Sequence, residues 1–295
     1  MDSKDNICAI ITTYNPDFDF RDRLDLISKH VEKVVIVDNN SDSITKKILF
    51  DISTDSKILV IFNEVNMGVA AALNQGIYLA KNASCSWVLL FDQDTRISEN
   101  FVEVLFSSYC KIAIGEQIGV IGPSYFDVKS RDYLDQTLTD YPNYFKEVKF
   151  IITSGSLIAI DVYEKIGPFR EDLFIDFVDI EYCLRARIKG FKIFQLLDLS
   201  IQHSIGSVTM HKLLWGYTGT SNHSPLRRYF MMRNNIFVAR EYIFSDPAWA
   251  LNSIYLRLKS TILMILFEKQ RMLKLKYSIY GIIDGIMGNI SRNIK

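Results

Sequence analysis

Short apolar runs alternate with helix-period stretches through the first 112 residues. ICAIITTYN (7–15), VEKVVIVDNNS (31–41), KILVIFN (57–63) and WVLLFDQDT (87–95) are rich in branched side chains, and each ends in polar residues. Continuous apolar runs of this kind are expected for strands buried on both faces. Helical patterning fills the intervals, at about 21–31, again after 41, at 66–82 and at 98–112, with Ser98 placed to N-cap the last. The alternation predicts an α/β fold, a mixed but mainly parallel sheet with helices on both faces. Such sheets bind ligands beyond the carboxyl ends of their strands. Here those ends read Thr13-Tyr14-Asn15, Asp38-Asn39-Asn40, Asn63 and Asp92-Gln93-Asp94, and they are expected to converge on one crevice.

From about residue 120 the pattern changes. IGVIGPSYFD and VKFIITSGSLIAI read as strands of a mixed continuation. A helix is expected from about 177 to 189, closed by Gly190, followed by a strand and loop in FKIFQLLDLSIQHSIG. Residues 227–244 and 250–280 read as helices. The expected organisation is a catalytic α/β domain over 1–240 and a helical, basic amphipathic extension over 241–295.

Composition narrows the picture in three places. The formal net charge is zero, so bulk charge predicts no nucleic-acid partner. Residues 251–295 are different, with 8 Lys+Arg against 2 Asp+Glu in an apolar background, which suggests an acidic or membrane-surface partner. Cys8, Cys85, Cys110 and Cys183 lack C-x-x-C spacing and read as scattered reduced core thiols. MDSKDNICAI has no signal-peptide layout, and no uncharged apolar run approaches the roughly 18 residues of a spanning helix. A cytoplasmic protein that touches a membrane without crossing it is expected.

The chemistry sits in the strand ends. In an extended chain, residues i and i+2 share a face, which would set the Asp92 and Asp94 carboxylates side by side. Two such charges call for a cation or ligand hydroxyls, and Mg²⁺ or Mn²⁺ takes hard oxygen ligands shared with substrate phosphates. Turn chemistry or helix capping is the competing account. Asn66-Met67-Gly68 opens a helix where backbone could approach a phosphate, or is a plain Asn cap. Asp38 could accept a pyrimidine N3–H or close an Asx turn. Asp176, Asp179 and Glu181 precede or open a helix, either complementing its dipole or supplying a general base. His203 follows a strand and could complete a metal site, although a lone His is more often structural. Arg227, Arg228 and Arg233 either grip phosphates or form the basic face of a helix.

Together these stretches resemble the inverting family-2 glycosyltransferases of the GT-A fold, over residues 7–240. ITTYN and VDNNSD match the two strand motifs around the nucleotide base, and NMGVAAALNQG matches N-x-G-x5-N-x-G with Asn66, Gly68, Asn74 and Gly76. DQD stands at the family's D-x-D, TSGSLIAI at its acceptor-side strand, and VDIEYCLR at its E-D-x-D-x-x-x-R region. Val178 stands where the family often has Glu, which leaves Asp179 as the base. Gln93 fills the middle of D-x-D and is expected to point away from its neighbours. Within the family, FDQDT, FIDFVDIEYCLRARIKG, HSIG and RRYFMMRNN look most like bacterial rhamnosyltransferases that use dTDP-L-rhamnose.

The resemblance implies a nucleotide-sugar-binding, Rossmann-like domain and an assignment of residues. Thr13, Tyr14, Asn15, Asp38, Asn66, Gly68, Asn74, Asp92, Gln93, Asp94 and Arg233 would bind the donor. Asp94 and His203, with Asp92 in support, would hold Mg²⁺ or Mn²⁺; Asp179 would be the base. Ser154, Gly155, Asp176 and Glu181 would lie on the acceptor side. Arg185 would orient acids or leaving group, or form a surface ion pair. The implied partners are a dTDP-sugar and a lipid-linked saccharide, at the inner face of the cell membrane, for O-antigen or lipopolysaccharide synthesis. Helices over 254–280 would lie on that membrane or pack on protein, including a second copy of the chain. The rivals are the same fold with a UDP- or GDP-hexose, and a non-catalytic nucleotide-sugar-binding protein. A nucleotidyltransferase lacks its Gly-rich first loop in TTYNPDFDF, and no G-x-G-x-x-G marks an oxidoreductase.

Overall fold

The computed structural model describes residues 6–127, 132–133, 144–203, 208–213 and 216–289. The first half alternates as its apolar pattern dictates: β1 Ile7–Thr13, α1 Phe20–Ser28, β2 Lys33–Asp38, α2 Ser43–Ile52, β3 Ile58–Phe62, α3 Val69–Asn82, β4 Trp87–Asp92 and α4 Phe101–Ile112. Then come β5 Ile118–Asp127, β6 Asp132–Tyr133, β7 Phe145–Val148, β8 Ser156–Ala159, α5 Ile160–Ile166, α6 Val178–Ile188 and β9 Lys192–His203.

These nine strands form one sheet in the order β3-β2-β1-β4-β8-β5-β9-β7, with β6 on β5. β3, β2, β1 and β4 pair in parallel, β8 runs against both β4 and β5, and β9 is parallel to β5. Six strands therefore share one direction, and the sheet is mixed but mainly parallel as expected. Every residue of β1 is buried. Ile7, Ala9 and Ile11 join a core with Phe20, Leu24, Leu49, Phe101 and Leu105 from α1, α2 and α4. Ile10 meets α3 on the other face, where a Cβ on Gly76 would stand 2.4 Å from Ile10 Cγ2. Only a glycine lets α3 lie that close, which accounts for the second glycine of NMGVAAALNQG.

Four expected elements need correction. Residues 149–155 are not strand; only Ser156–Ala159 of VKFIITSGSLIAI pairs in the sheet after the edge strand β7. Ser98 is not the N-cap of α4: Asn100 holds that position, and Ser98 Oγ donates to Asn100 Oδ1 at 2.9 Å. The single helix expected over 250–280 is two, α8 Pro247–Phe267 and α9 Arg271–Met287, because Glu268 is extended and Gln270 is left-handed at φ 54°. Cys110 is exposed and not a core thiol; Cys8, Cys85 and Cys183 are buried.

The chain divides into two compact units, Met1–Glu171 with Tyr182–Ser204, and Asp172–Glu181 with Ile205–Lys295. Residue 240 falls inside the second unit, near the end of α7 Pro225–Tyr242. That unit also holds α8, α9 and a hairpin the sequence pattern did not suggest, β10 Thr209–Leu213 with β11 Gly216–Thr220. α7 and α9 pack through small and polar residues: a Cβ on Gly281 would stand 2.4 Å from the Tyr229 carbonyl, and Tyr229 OH donates to Asp284 at 2.9 Å.

Candidate active site

In the first unit the parallel register brings the carboxyl ends together: Thr13 lies beside Asp38, Asp38 beside Phe62, and Thr12 beside Asp92. Asp38 is 0% exposed. Its carboxylate accepts from Thr13 Oγ1 at 3.0 Å, from the Ser41 amide at 2.9 Å and from the Ser41 hydroxyl. A buried carboxylate needs such donors, and they occupy most of its acceptor capacity. Its place is thus to lock the ends of β1 and β2. Asn15 continues the lock, with its amide donating to Ser41 Oγ at 2.7 Å and its Oδ1 accepting the Asp42 amide at 2.9 Å. Tyr14 stands out from this network, 52% exposed.

Asn39 and Asn63, polar strand ends with no role of their own assigned from sequence, are both buried hubs. Asn39 Nδ2 donates to the Gly68 carbonyl at 3.1 Å, and its Oδ1 accepts from Asn63 Nδ2 at 3.0 Å and from the Met67 amide at 3.3 Å. Gly68 has φ 86° and its amide donates to Asn66 Oδ1 at 2.9 Å, so the turn into α3 is held from both sides. The adjacent polar residues in VDNNSD were the available signal. Asn74 is placed elsewhere: its amide bonds the Phe169 backbone at 2.8 and 2.9 Å, Glu171 at 2.9 Å and Tyr163 OH at 2.8 Å. It positions the 163–171 segment. Burial pushes the Tyr163 phenol up to about 12.

β4 ends at Asp92, and the Thr95 amide turns back to the Asp92 carbonyl at 3.2 Å. Gln93 and Asp94 therefore occupy a turn, and strand alternation is not what sets the two carboxylates. Gln93 does not point away idly. Its Oε1 accepts the Tyr14 amide at 2.7 Å and its Nε2 donates to the Tyr14 carbonyl at 3.2 Å. Ser154 and Gly155, expected near an acceptor, instead back the turn: Ser154 Oγ accepts the Asp92 amide at 3.2 Å and meets Thr95 Oγ1, and the Gly155 amide donates to Leu90 at 2.7 Å. His203 closes β9 beside Asp127 in register; its side chain lies outside the described residues. Arg185 donates to the Ile166 and Pro168 carbonyls at 2.9 and 2.8 Å, which ties α6 to the end of α5.

Two partly exposed carboxylates at a strand-end turn suit a hard divalent ion, because Mg²⁺-type ions need only one or two protein carboxylates when substrate phosphates supply the rest. Among the described residues no three His, Cys, Asp or Glu side chains gather into a cage of their own.

In the second unit, Asp179 lies partly exposed in the first turn of α6, its Oδ1 accepting the Ile180 amide at 2.8 Å. The segment leading to it is strained, with Phe174, Asp176 and Phe177 at φ 63°, 63° and 68°. Non-glycine residues cost about 1–2 kcal/mol each in that region and persist only when held. Asn234 holds them: Nδ2 faces the carbonyls of Leu173, Ile175 and Asp176 at 2.7, 2.8 and 3.0 Å. Arg233 adds the Asp172 carbonyl at 2.7 Å. It is 2% exposed, which suits bracing and not a donor-binding role. Arg227 takes Asp176 in two hydrogen bonds at 3.2 and 3.1 Å. Glu181, expected on the acceptor side, is buried and accepts from Tyr242 OH at 2.9 Å.

Residues 8–167, more than half the chain, match the model of glycosyl transferase family 2. The chain belongs to that family. This glycosyltransferase is 30% identical over 298 aligned positions to dTDP-rhamnosyl transferase RfbF of Shigella flexneri, covering 96% of each chain. Its fold is GT-A. S. aureus TarS 1-349 in complex with UDP-GlcNAc superposes with a TM-score of 0.59 at 17% identity, over 96% of this chain and 81% of that one. The mannosyltransferase PcManGT of Pyrobaculum calidifontis, in complex with GDP-Man and Mn²⁺, gives 0.58 at 13% identity, over 96% and 88%.

Proposed function

We propose that this glycosyltransferase moves L-rhamnose from dTDP-β-L-rhamnose to a sugar hydroxyl of a lipid-linked acceptor, in O-antigen or related surface-polysaccharide synthesis. The observation that carries the donor is the 30% identity to a dTDP-rhamnosyl transferase across 96% of both chains. Tyr14, exposed at the strand ends, would stack on thymine, with Asp38, Asn15 and Asn39 holding the loops that present it. The Asn66–Gly68 turn would face the donor's polar groups.

Asp94 and His203, with Asp92 in support, would hold Mg²⁺ or Mn²⁺. When bound, that ion neutralises charge growing on the departing diphosphate. Asp179 would take the proton of the attacking hydroxyl, and one displacement inverts the anomeric centre, giving an α-rhamnoside. Asp176 keeps this segment in place through Arg227.

The protein would work at the inner face of the cell membrane. α8, 21 residues long, is by length and composition apolar enough to cross a bilayer. One of its faces packs on α7 through Trp249, Ala250, Thr261 and Met264, however, which supports lying along a surface. Among residues 247–289 the exposed charges are Lys259, Lys269, Arg271 and Lys276, while both acids, Glu268 and Asp284, are buried. Exposed Leu251, Tyr255, Leu258, Ile262, Ile279 and Ile283 with cations alone suit an anionic lipid surface. A second copy would bring like charges together.

Nucleoside diphosphate release tests the mechanism. With dTDP-rhamnose and a lipid-linked acceptor, Asp179→Asn is expected to lower kcat at least about 10²-fold, the lower end of the about 10²–10⁴-fold worth of a general base. EDTA is expected to stop wild-type turnover. Unchanged turnover in either case would overturn the assigned roles.

A further inference from the structure

Four cations meet two carboxylates inside the second unit. Glu268 is shared by Arg228 at 2.6 Å and Lys274 at 2.7 Å, and Asp176 is held by Arg227. Arg257, on α8, is the fourth. Its guanidinium lies 5.6 Å over the Phe177 ring, beside the Asp176 that Arg227 grips. Among the described residues Arg257 has no salt bridge, and its buried Nε has no hydrogen-bond partner; neither has Nε of Arg228, itself 2% exposed. Burial lowers the pKa of Arg257, and the neighbouring Arg228 and Arg227 oppose the attraction of Asp176. His223 adds no anion: burial, then Arg227, drops its pKa to about 4, so it stays neutral near pH 7.

Arginine is rarely buried without a counter-ion. Among the described residues this cluster holds two more cations than carboxylates, which suits a phosphate-class anion, and guanidinium donors are its preferred partners. The same helix carries the exposed apolar stripe Leu251, Tyr255, Leu258 and Ile262. The cluster also touches the Asp176–Phe177 stretch, two residues from Asp179 in sequence.

We infer that Arg257, with Arg227 beside it, binds the diphosphate of an amphiphile, the lipid-diphosphate end of the acceptor. A ligand with a dianionic head and a hydrocarbon chain uses both features of α8. The inference rests on the lipid-linked reading above. It differs from the expectation for Arg233, which is spent on backbone carbonyls. The free donor's diphosphate has the same chemistry, so the test must separate the two sources.

The full chain is melted in EDTA with inorganic pyrophosphate, farnesyl diphosphate or farnesol. EDTA removes the metal-dependent route to the donor site. At a hundredfold excess over Kd, both phosphates should raise the wild-type Tm by about 5 °C or more, farnesyl diphosphate at the lower concentration. Arg257→Gln should lose the shift with both, Arg257→Lys should keep part, and the unliganded Arg257→Gln should melt no lower than wild type because an uncompensated charge has gone. Pyrophosphate protection of Arg257→Gln equal to wild type overturns the site. So does protection by farnesol alone.

Steady-state kinetics with Mn²⁺ then assign the source. Arg257→Gln should raise KM for a polyprenyl-diphosphate-linked acceptor at least tenfold more than KM for the donor. A rise on the donor alone overturns the acceptor assignment. If Arg257→Gln does not fold, Arg257→Lys and Arg227→Gln carry the same comparison. A chain inactive with dTDP-rhamnose would sink the rhamnosyl reading yet leave the pyrophosphate shifts to decide the site.

Discussion

The Gln93 carboxamide grips the backbone of Tyr14 at both ends, accepting its amide at 2.7 Å and donating to its carbonyl at 3.2 Å. The turn that carries Asp92 and Asp94 is thereby tied to the loop that presents the exposed tyrosine. Arg23 reinforces the tie from behind, donating Nε to the Gln93 carbonyl at 3.0 Å. The middle residue of D-x-D is a strut between the two strand-end loops that the proposed function assigns to the donor. Two hydrogen bonds of about 0.5–1.5 kcal/mol each are at stake. Gln93→Leu is expected to raise donor KM about 5- to 100-fold and to lower Tm by a few degrees. A fall in kcat at constant KM would contradict the strut.

The strained segment before Asp179 depends on one amide. Asn234→Leu removes the donor facing three carbonyls while Phe174, Asp176 and Phe177 keep their left-handed backbone. Loss of about 2–4 kcal/mol of stability is expected, since buried carbonyls go unpaired and the strain is no longer held. Denaturant titration gives the magnitude. Hydrogen exchange should speed up at residues 173–178 first; uniform loss of protection would argue against a local brace.

Gly281 offers a test by sign. Helix propensity alone predicts that alanine stabilises α9 by about 1 kcal/mol. The contact predicts the reverse, because the new Cβ would stand 2.4 Å from the Tyr229 carbonyl and 3.0 Å from Met232 Cβ. Gly281→Ala is expected to lower Tm; a higher Tm would mean α7 and α9 are not in close contact.

His223 gives the protein an acid-side weakness. Its folded pKa of about 4 lies below the ordinary histidine value of 6.5, through burial and then Arg227. The folded state thus binds its proton less readily than the unfolded chain. Its stabilising contribution is present above about 6.5 and lost as pH falls toward about 4. Carboxylates titrate in the same range, so the measurement is the difference between wild type and His223→Gln. The variant should be relatively more stable at pH 5 than at pH 8; a constant difference would contradict the assignment.

Much of the first unit could be read from one sequence because its signals are local. The run ICAIITT is apolar throughout and is buried throughout, and polar strand ends fall at the carboxyl edge by register. What escaped depends on long-range pairing. Nothing near Asn74 in sequence announces Phe169 and Glu171, and nothing near Asn234 announces Leu173. Asp92 and Asp94 suggested strand alternation, but the turn at Thr95 decides their setting. RRYFMMRNN suggested either a phosphate grip or one basic helix face; its arginines divide between an ion network, a carbonyl brace and the Asp176 clamp. Those uses are fixed by which helix lies opposite.

A donor panel tests the central claim most directly. The purified chain with Mn²⁺ and a lipid-linked acceptor is given dTDP-rhamnose, UDP-glucose, UDP-galactose or GDP-mannose, and nucleoside diphosphate release is followed. Release of dTDP, with UDP and GDP release at background and with loss of turnover in EDTA, is the predicted result. Release of UDP or GDP in preference to dTDP would contradict the rhamnosyl assignment while leaving the family and fold intact.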